Sequence, residues 1–432
     1  MKANVRRSPF YAALNRNVHE ANTLATIDVA EHAKRRRRLN LGFTEKSIRE
    51  ASKFIIKHVD RWIDIITEEI DGSTTGWTAS MDFSERVDGL IFDIMADLSF
   101  GKSFEIKEPG DNPLKATPHN IGVYMRSYYL MCRFPLIKLL LWLKPRGLDQ
   151  LLEFITPSAA KKYHQFVQTS VSARIALQKH QAAKPEHERR QDLFYFVASA
   201  RDASTGRPAY TEPELHAESS LLIVAGSDTT AVSLSGVFFY LTADPARCRK
   251  LTREIRAVFD SARDIVYGPE LLQCVYLRAC VDEALRLTPT VPSEPPREVL
   301  PGGARISGEV YPAGTVVGVV PWAIALNRSV YGDDAEAFRP ERWIAGGEEE
   351  EEALRRAKSG FHPFLSGPCN CAGKNLAMAE ILITVARTLH RLDVRRAPGG
   401  GGERLMQVVD GYIALRKGPE VQFRRRMMGL EE

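Results

Sequence analysis

Most of the chain carries apolar residues spaced three to four positions apart, which is typical of helices that bury one face. The clearest such segment starts at Glu45 and ends near Ile70. Two shorter amphipathic segments follow: residues 84–101, which stop at Gly101, and residues 192–200. The pattern therefore predicts a mainly helical fold. The apolar face of the first segment consists of Ile48, Ala51, Phe54, Ile55, Val59, Trp62, Ile63 and Ile66.

One helix is predicted to be much longer than the others, from Thr211 to about Ala243. Residues 211–214 combine a capping box with a proline in the first turn, and the Asp244-Pro245 pair predicts where the helix ends. At 1.5 Å per residue this helix spans roughly 50 Å, enough to cross the whole molecule. Its centre is apolar on nearly every side, so we expect it to be buried all round.

Signals for β-strands are few, and residues 304–321 carry most of them. Their short β-branched runs are interrupted by glycine and proline and predict small hairpins. Glu348 to Glu352 is a run of glutamates and Gly399 to Gly402 is a run of glycines, and both are predicted to be solvated loops. Because the sequence shows no repeats and no linker, residues 1–432 are predicted to form one domain, mainly α with a minor sheet.

The segment from Phe134 to Pro145 is strongly apolar. It falls short of the roughly 20 residues that a membrane helix needs, and Lys138 interrupts it. Two interpretations remain: a helix buried in the core, or a patch near Phe134 to Leu143 that dips into a membrane surface. Residues 1–17 resemble neither a signal peptide nor a membrane span, so we expect no transmembrane helix in this chain.

Composition narrows the class of protein only a little. The 432 residues are 44% apolar and 26% charged, as in an ordinary globular protein, and the net charge of +5 does not decide the type of partner. Six scattered cysteines without a secretory signal indicate reduced thiols in a protein that faces the cytosol. The basic cluster at residues 32–38 lacks interleaved aromatic residues, so no nucleic-acid partner is predicted.

Two cysteines one residue apart, Cys369 and Cys371, precede a strong helical pattern. A thiolate is a ligand for haem iron, zinc and iron–sulfur clusters. The N-terminus of a helix lowers the pKa of a thiol, which favours that thiolate. Gly367 and Gly373 would let the backbone pass close to a flat cofactor, and Phe364 would shield the sulfur from water.

Two other interpretations of this cysteine pair stay open at this point. Cysteines at this spacing also occur as buried or incidental thiols without a ligand. A zinc site would combine both cysteines with His362, but a convincing fourth ligand is lacking.

Residues 364–373, FLSGPCNCAG, closely resemble the haem-binding loop of the cytochromes P450. The family pattern is Phe, two residues, Gly, one residue, Arg or His, one residue, Cys, one residue, Gly. Aligned in this way, Cys371 is implied to be the axial ligand of the haem iron. Cys369 stands where the family has a basic residue that holds a haem propionate, so this anchor is missing.

Two further segments resemble the same family in the right order. Glu283 and Arg286 match its E-x-x-R motif, and Arg342 within residues 338–343 matches the arginine that joins that pair. Residues three apart share a helix face, so the first two can form an ion pair. The resemblance implies a structural role beneath the haem for all three side chains.

Residues 225–230, AGSDTT, resemble the oxygen-activation motif on the family's long central helix. By this resemblance Ala225 and Gly226 line the haem pocket, while Asp228 and Thr229 relay protons during oxygen activation. Residues 291–296 are implied to line the same pocket. The other interpretation is a helix that tolerates small polar residues, which bond back to its own carbonyl groups.

His32 and Arg36 match the spacing of an early family motif, Trp, three residues, Arg, which binds the haem propionates; here His replaces Trp. Fungal members carry similar basic segments, and Arg297 is a third propionate candidate. We hypothesise that these arginines compensate for Cys369. The resemblance begins near residue 15, so we expect this chain to lack the usual N-terminal anchor and first strands.

The resemblance implies a haem-thiolate monooxygenase with haem b as its cofactor. Such an enzyme inserts one oxygen atom from O2 into an apolar organic substrate, here in fungal secondary metabolism. Electrons come from NADPH through a flavoprotein reductase, and the expected location is the surface of the endoplasmic reticulum. Two alternatives are a haem-thiolate isomerase or dehydratase, and a relic that is catalytically impaired because of Cys369 and the short N-terminus.

Overall fold

A computed structural model describes residues 4–15, 21–156, 158–202, 205–400 and 402–426. Helices dominate these ranges, as the apolar spacing predicts. In chain order they are α1 Pro9–Ala13, α2 Val29–Asn40, α3 Glu45–Asp71, α4 Phe83–Phe100, α5 Thr117–Cys132, α6 Ile137–Leu143, α7 Leu148–Ile155, α8 Ser158–Gln181, α9 Leu193–Ala198, α10 Glu212–Ala243, α11 Pro245–Val258, α12 Pro269–Leu272, α13 Val275–Leu287, α14 Pro321–Ala325, α15 Arg328–Tyr331, α16 Glu348–Gly360 and α17 Lys374–Arg391.

The strands are short and form small antiparallel sheets. They are β1 Val5–Arg7, β2 Met81–Asp82, β3 Arg297–Val299, β4 Ala304–Ile306, β5 Glu309–Tyr311, β6 Val316–Val317, β7 Leu392–Arg396, β8 Val408–Gly411, β9 Ile413–Arg416 and β10 Glu420–Arg425. Their order is β1-β3-β6 in one sheet and β2-β10-β7 in another, and β4-β5 and β8-β9 are hairpins. The hairpin predicted within residues 304–321 is confirmed by β4-β5.

The long helix α10 runs through the centre of the fold, and its predicted bounds are confirmed. Thr211 and Glu214 form the capping box, and Tyr240 accepts the last backbone hydrogen bond, from Asp244. At 32 residues α10 is about 48 Å long. It packs against α4, α8, α13 and α17, and nearly all of its second half is buried.

The predicted helix at Glu45 is α3, and the side chain of Thr44 caps its first turn. Its predicted apolar face is buried, apart from Phe54, which is half-buried. The helix α4 ends before Gly101, as predicted, because this residue adopts the left-handed conformation (φ +79°) that favours glycine.

The glutamate run is not a loop, so that prediction is wrong. Glu348 to Glu352 form the first turns of α16, and Glu350 accepts a hydrogen bond from the backbone N–H of Gly346 at 2.6 Å. Negative side chains stabilise the N-terminus of a helix, where the free N–H groups and the helix dipole are positive. Gly399 and Gly400 lie in a turn region and Gly402 in irregular structure, as predicted; Gly401 lies outside the described residues.

The core interpretation of the segment from Phe134 to Pro145 is wrong. Helix α6 has no buried residue, because only one side of this short helix packs against α1 and α7. Trp142 is 55% exposed and Leu136 is 56% exposed. Among the described residues one helix, α10, is long and apolar enough to cross a membrane, and 67% of its apolar window is buried inside the protein.

Candidate functional site

A cavity of about 980 Å³ opens beside the middle of α10 and the start of α17. Its volume lies at the upper end of the range for small-molecule sites, about 300–1,000 Å³. Most of its wall is apolar, with side chains from α2, α4, α5 and α10. The structure brings the following sequence-predicted residues to the wall: Arg36, Ala225, Gly226, Thr229, Val291, Cys371 and Gly373.

The loop that carries Cys371 is closed by its own backbone. The N–H of Cys371 donates to the carbonyl oxygen of Phe364 at 2.8 Å, and residues 367–369 form a single 3₁₀ turn between them. Gly367 has φ +70°, a conformation that a larger side chain would strain. The loop ends at Gly373, which precedes the first turn of α17.

Cys371 is exposed and lines the cavity, so its sulfur is accessible from there. Burial raises the pKa of the Cys371 thiol, although the N–H groups of Gly373 and Lys374 and the charge of Arg36 act in the opposite direction. The predicted effect of the helix N-terminus is therefore present, but burial outweighs it. A ligand that binds the thiolate would reverse this balance.

Arg36 ties α2 to the cysteine loop. Its Nε donates to Asn40 and its Nη2 donates to the side chain of Asn370, both at 2.7 Å, and its Nη1 donates to the carbonyl oxygen of Asn370. The expected propionate anchor is thus already engaged with Asn370, which lies between Cys369 and Cys371.

The other two expected anchors, His32 and Arg297, lie behind the cavity wall as the described residues define it. The Nε2 atom of His32 is buried and has no hydrogen-bond partner there. Burial lowers the pKa of His32 to about 4, and the positive charges of Arg7, Arg36 and Arg297 add to this effect. These three arginines therefore surround His32 and make this side of the cavity strongly positive.

Sequence reasoning missed Arg7, which lines the cavity beside Cys369. A lone arginine in a short extended segment carries no signal that would separate it from a surface residue. Only the pairing of β1 with β3 brings Arg7 to the site, and that pairing joins residues about 290 positions apart.

The middle of α10 fits both interpretations of its small polar residues. Thr229 donates its hydroxyl to the carbonyl oxygen of Ala225 at 2.7 Å, as the alternative expected, but it also lines the cavity. A Cβ atom at Gly226 would come within 2.5 Å of the end of the Met95 side chain, so a larger residue here would displace Met95 from its position between α4 and α10. Asp228 lies near Asp88 and Arg416, and burial raises its pKa to about 7.

A second acid that sequence reasoning missed is Glu380 on α17. It lines the cavity, and its Oε2 accepts a hydrogen bond from the Thr230 hydroxyl at 2.9 Å. Its Oε1 has no partner among the described residues. Burial raises the pKa of Glu380 to about 8, so this side chain holds a proton at neutral pH. A charged residue within the apolar stretch AMAEILITV was the available signal.

The ion-pair residues come together in the core away from the cavity. Arg286 donates to both oxygens of Glu283 at 2.8 Å, and Arg342 donates to the same carboxylate at 3.3 Å. The indole N–H of Trp343 and the backbone N–H of Arg339 donate to it at 3.0 Å. The Arg286 side chain also donates to the carbonyl groups of Ala325, Ala335 and Ala337.

No group of three or more His, Cys, Asp or Glu side chains forms a metal-binding cluster in the described ranges. His362 instead has its Nε2 atom 3.1 Å from the carbonyl oxygen of Ser359. The zinc interpretation of the cysteine pair therefore has no structural support.

Comparison with known proteins decides between the remaining interpretations. The family model described as Cytochrome P450 matches residues 2–421. The chain belongs to the cytochrome P450 family. A crystal structure of a cytochrome P450 has the same fold, with a TM-score of 0.73 and 20% identity over 98% of this chain and 85% of that chain.

Curated relatives are named monooxygenases. A cytochrome P450 monooxygenase of Gibberella zeae is 34% identical, over 98% of this chain and 96% of the relative. The monooxygenase fscF of Fusarium equiseti is 32% identical over 98% and 80% of the two chains, and poxM of Penicillium oxalicum is 32% identical over 98% and 78%. The protein is therefore an enzyme of the P450 monooxygenase class, and these relatives do not support an isomerase or dehydratase.

The cavity of this P450 has the features that a haem requires. A thiol reaches its wall, and its apolar lining suits a flat macrocycle. The Nε of Arg7, at the cavity wall beside Cys369, is a buried donor that has no partner among the described residues. Buried donors without acceptors are costly, so they mark the place of an anionic group such as a carboxylate.

The first prediction concerns the ion pair. In Glu283→Gln, the buried Arg286 loses its counter-charge and Arg342 keeps only Asp334, so we expect the free energy of unfolding to fall by about 3–5 kcal/mol. Chemical denaturation followed by circular dichroism measures this loss. Glu186→Gln is the control, because the exposed Lys46–Glu186 pair should contribute little and the midpoint should not move. Equal midpoints for both variants would contradict the structural role.

The second prediction follows from the raised pKa of Glu380. The folded protein holds this proton more tightly than the unfolded chain, so the stabilisation is full below about pH 4.5 and is lost as the pH rises through about 8. Glu380→Gln keeps an acceptor for Thr230 but does not titrate. Between pH 5 and 8.5, wild type should lose on the order of 4 kcal/mol relative to the variant in unfolding titrations.

The control for this titration is Asp71→Asn, which removes an exposed ion pair to Arg425. Over the same pH range its stability should follow the wild-type curve. A Glu380→Gln curve that also runs parallel to wild type would show that Glu380 is ionised in the folded protein.

Proposed function

We propose that the cavity binds haem b with the Cys371 thiolate as the axial ligand. We further propose that the enzyme oxidises an apolar small molecule of fungal secondary metabolism with electrons that reach it from NADPH through a flavoprotein reductase. The observation that carries this proposal is the Cys371 thiol, which opens into a large apolar cavity at the start of α17. A thiolate-bound haem, when present, supplies the chemistry that activates O2 and favours cleavage of the O–O bond.

The protein's own residues would hold and orient this group. The N–H groups of Gly373 and Lys374 point at the sulfur and stabilise its negative charge. Phe364 packs on the core beside the loop, and Gly367 permits its turn. On the other side, Arg36 and the half-buried Arg297 provide the positive field that acidic groups of the haem require, while His32 beside them stays uncharged because burial and these arginines lower its pKa to about 4.

Protons are proposed to reach the cavity through α10. Asp228 is half protonated near neutral pH, so it can give and regain a proton there. Thr229, the next residue, lines the cavity wall. Asp228 lies near the Asp88–Arg416 ion pair, which is partly exposed and offers contact with solvent.

The substrate class follows from the rest of the wall. The apolar side chains that extend beyond the cysteine loop favour a substrate with few charged groups. They include Leu14, Leu24, Ile121, Met125, Leu221 and Val224. The fungal relatives, which act as monooxygenases by name, support a role in secondary metabolism for this chain as well.

The exposed apolar surface around α6 and α7 supports peripheral contact with a membrane, which would place the enzyme at the endoplasmic reticulum. Its side chains are Phe134, Leu136, Leu139, Trp142, Leu151 and Phe154. Arg146 lies over the Trp142 ring at 4.2 Å, and Lys138 is close to the same helix face. Apolar and aromatic groups flanked by basic residues are typical of proteins that lie on a lipid surface.

The test of the proposed function is the absorption spectrum of the reduced, CO-bound protein. Wild type should show the strongly red-shifted Soret band of thiolate ligation. Cys371→Ser should abolish this band, and the matched variant Cys369→Ser should retain it. If Cys369→Ser lost the band and Cys371→Ser kept it, the ligand would be Cys369 and the proposal would be wrong. Wild-type protein that is colourless after growth with a haem precursor would refute haem binding.

The membrane contact is tested by flotation with vesicles of phosphatidylcholine and phosphatidylserine. Replacing Leu139 and Trp142 by serine removes two large apolar groups from the patch, so the bound fraction should fall at least about tenfold. Val310→Ser with Val409→Ser changes exposed apolar residues elsewhere and should bind as wild type does. Equal binding of both double variants would contradict a specific patch.

A further inference from the structure

We propose that Arg7 supplies the cation that the family has at the position of Cys369, and that Arg7 holds an acidic side group of the bound haem. This inference rests on the proposed haem site, and it assigns to this chain a cofactor-holding residue on a strand instead of on the cysteine loop.

The register of β1 and β3 brings two arginines together. These antiparallel strands place Arg7 directly opposite Arg297. Directly opposite residues project on the same face of a sheet, with Cβ atoms about 4.5–5.5 Å apart, and like charges at such positions repel. In the ranges that the structure describes, neither arginine has a carboxylate partner: Arg7 donates to the carbonyl oxygen of Thr23 at 2.7 Å, and Arg297 donates to the Tyr11 hydroxyl at 3.0 Å.

The opposite face of the same two strands shows the contrast. There Arg6 lies across from Glu298 in the register, and its Nη2 donates to that carboxylate at 2.8 Å. Lys138 adds a second cation to Glu298 at 3.0 Å. The outer face of this ribbon thus neutralises its charges, while the inner face gathers two positive charges without a negative one.

Burial makes this inner charge expensive. Arg7 is 7% exposed, and its Nε has no hydrogen-bond partner among the described residues. Burial lowers the pKa of Arg7, and the depressed pKa of His32 reports the same positive field. A buried guanidinium usually has a carboxylate or phosphate as partner, so the geometry calls for an anion that belongs to a ligand.

Arg7 suits this role better than the two arginines that the sequence predicted. The Nε, Nη1 and Nη2 atoms of Arg36 all donate to Asn40 or Asn370. Arg297 lies behind the wall, with Nη1 engaged by Tyr11 and by two proline carbonyl groups. Arg7 and Cys369 both line the cavity, and their side chains lie close to each other.

The positive side chain that the family has on the cysteine loop is therefore supplied from strand β1 in this chain. A guanidinium from the strand occupies the region that a basic side chain at position 369 would reach, and a small thiol at 369 leaves room for it. A charge-assisted pair between Arg7 and a haem carboxylate offsets the repulsion between Arg7 and Arg297. The absence of the usual loop residue is therefore compensated within this chain.

The test is the rate of haem release from the purified holoenzyme to excess apomyoglobin. Arg7→Gln should release haem about 10- to 100-fold faster than wild type, since a hydrogen bond between charged groups is lost. Arg6→Gln is the matched control on the same strand and should stay within about twofold of wild type, because Arg6 faces away from the cavity. Adding Cys369→Arg to Arg7→Gln should restore most of the retention.

The single variant Cys369→Arg tests this role of Arg7 even where Arg7→Gln does not fold. In this variant Arg7 is still present, so the added arginine repels its positive charge and haem retention should not improve. Slower haem release from this variant than from wild type would overturn the inference. Haem release from Arg7→Gln at the wild-type rate would also overturn it. A double variant that does not recover haem retention would overturn it as well, because Arg7 would then have a packing role. Wild type that takes up no haem would instead overturn the proposed function.

Discussion

The candidate site depends on one arrangement, the sulfur of Cys371 held at the N-terminus of α17. The backbone fixes it twice: the Cys371 N–H donates to Phe364, and the N–H groups of Gly373 and Lys374 point at the sulfur. The rest of the core stabilises this position, because α17 packs on α3, α10 and α13. The Glu283–Arg286–Arg342 network then holds the carbonyl groups of the preceding segment, so the chain enters the loop along a fixed path.

Charge is distributed unevenly around the cavity, so one side can bind acidic groups while the other side holds protons. Near Cys369 the described wall gathers cations without carboxylates, with Arg7 and Arg36 at the surface of the cavity and Arg297 behind them. Along α10 and α17, by contrast, burial raises the pKa values of Asp228 and Glu380 to about 7 and about 8. One side therefore attracts acidic groups, and the other holds protons that can be given up near neutral pH.

The sequence predicts the elements whose signals are local. Helix α10 has a capping box at one end and Asp-Pro at the other, and α3 has a long apolar stripe, so both were predicted correctly. The family motif located the cysteine loop because its residues are contiguous. Arg7 could not be predicted because its role arises from the pairing of its strand with the strand of Arg297, far away in the chain.

The prediction for the glutamate run was wrong because the benefit of acidic residues at a helix N-terminus outweighs their mutual repulsion. The exposure of α6 depends on which neighbours cover it, and hydropathy does not contain that information.

The most direct test of the account is iron X-ray absorption of the purified holoenzyme, which reports the atoms bound to the metal. If Cys371 is the ligand, the iron has one sulfur neighbour in wild type and in Cys369→Ser, and no sulfur neighbour in Cys371→Ser. An iron bound only to nitrogen and oxygen in wild type would contradict it, because the sulfur of Cys371 would then have no part in holding the metal.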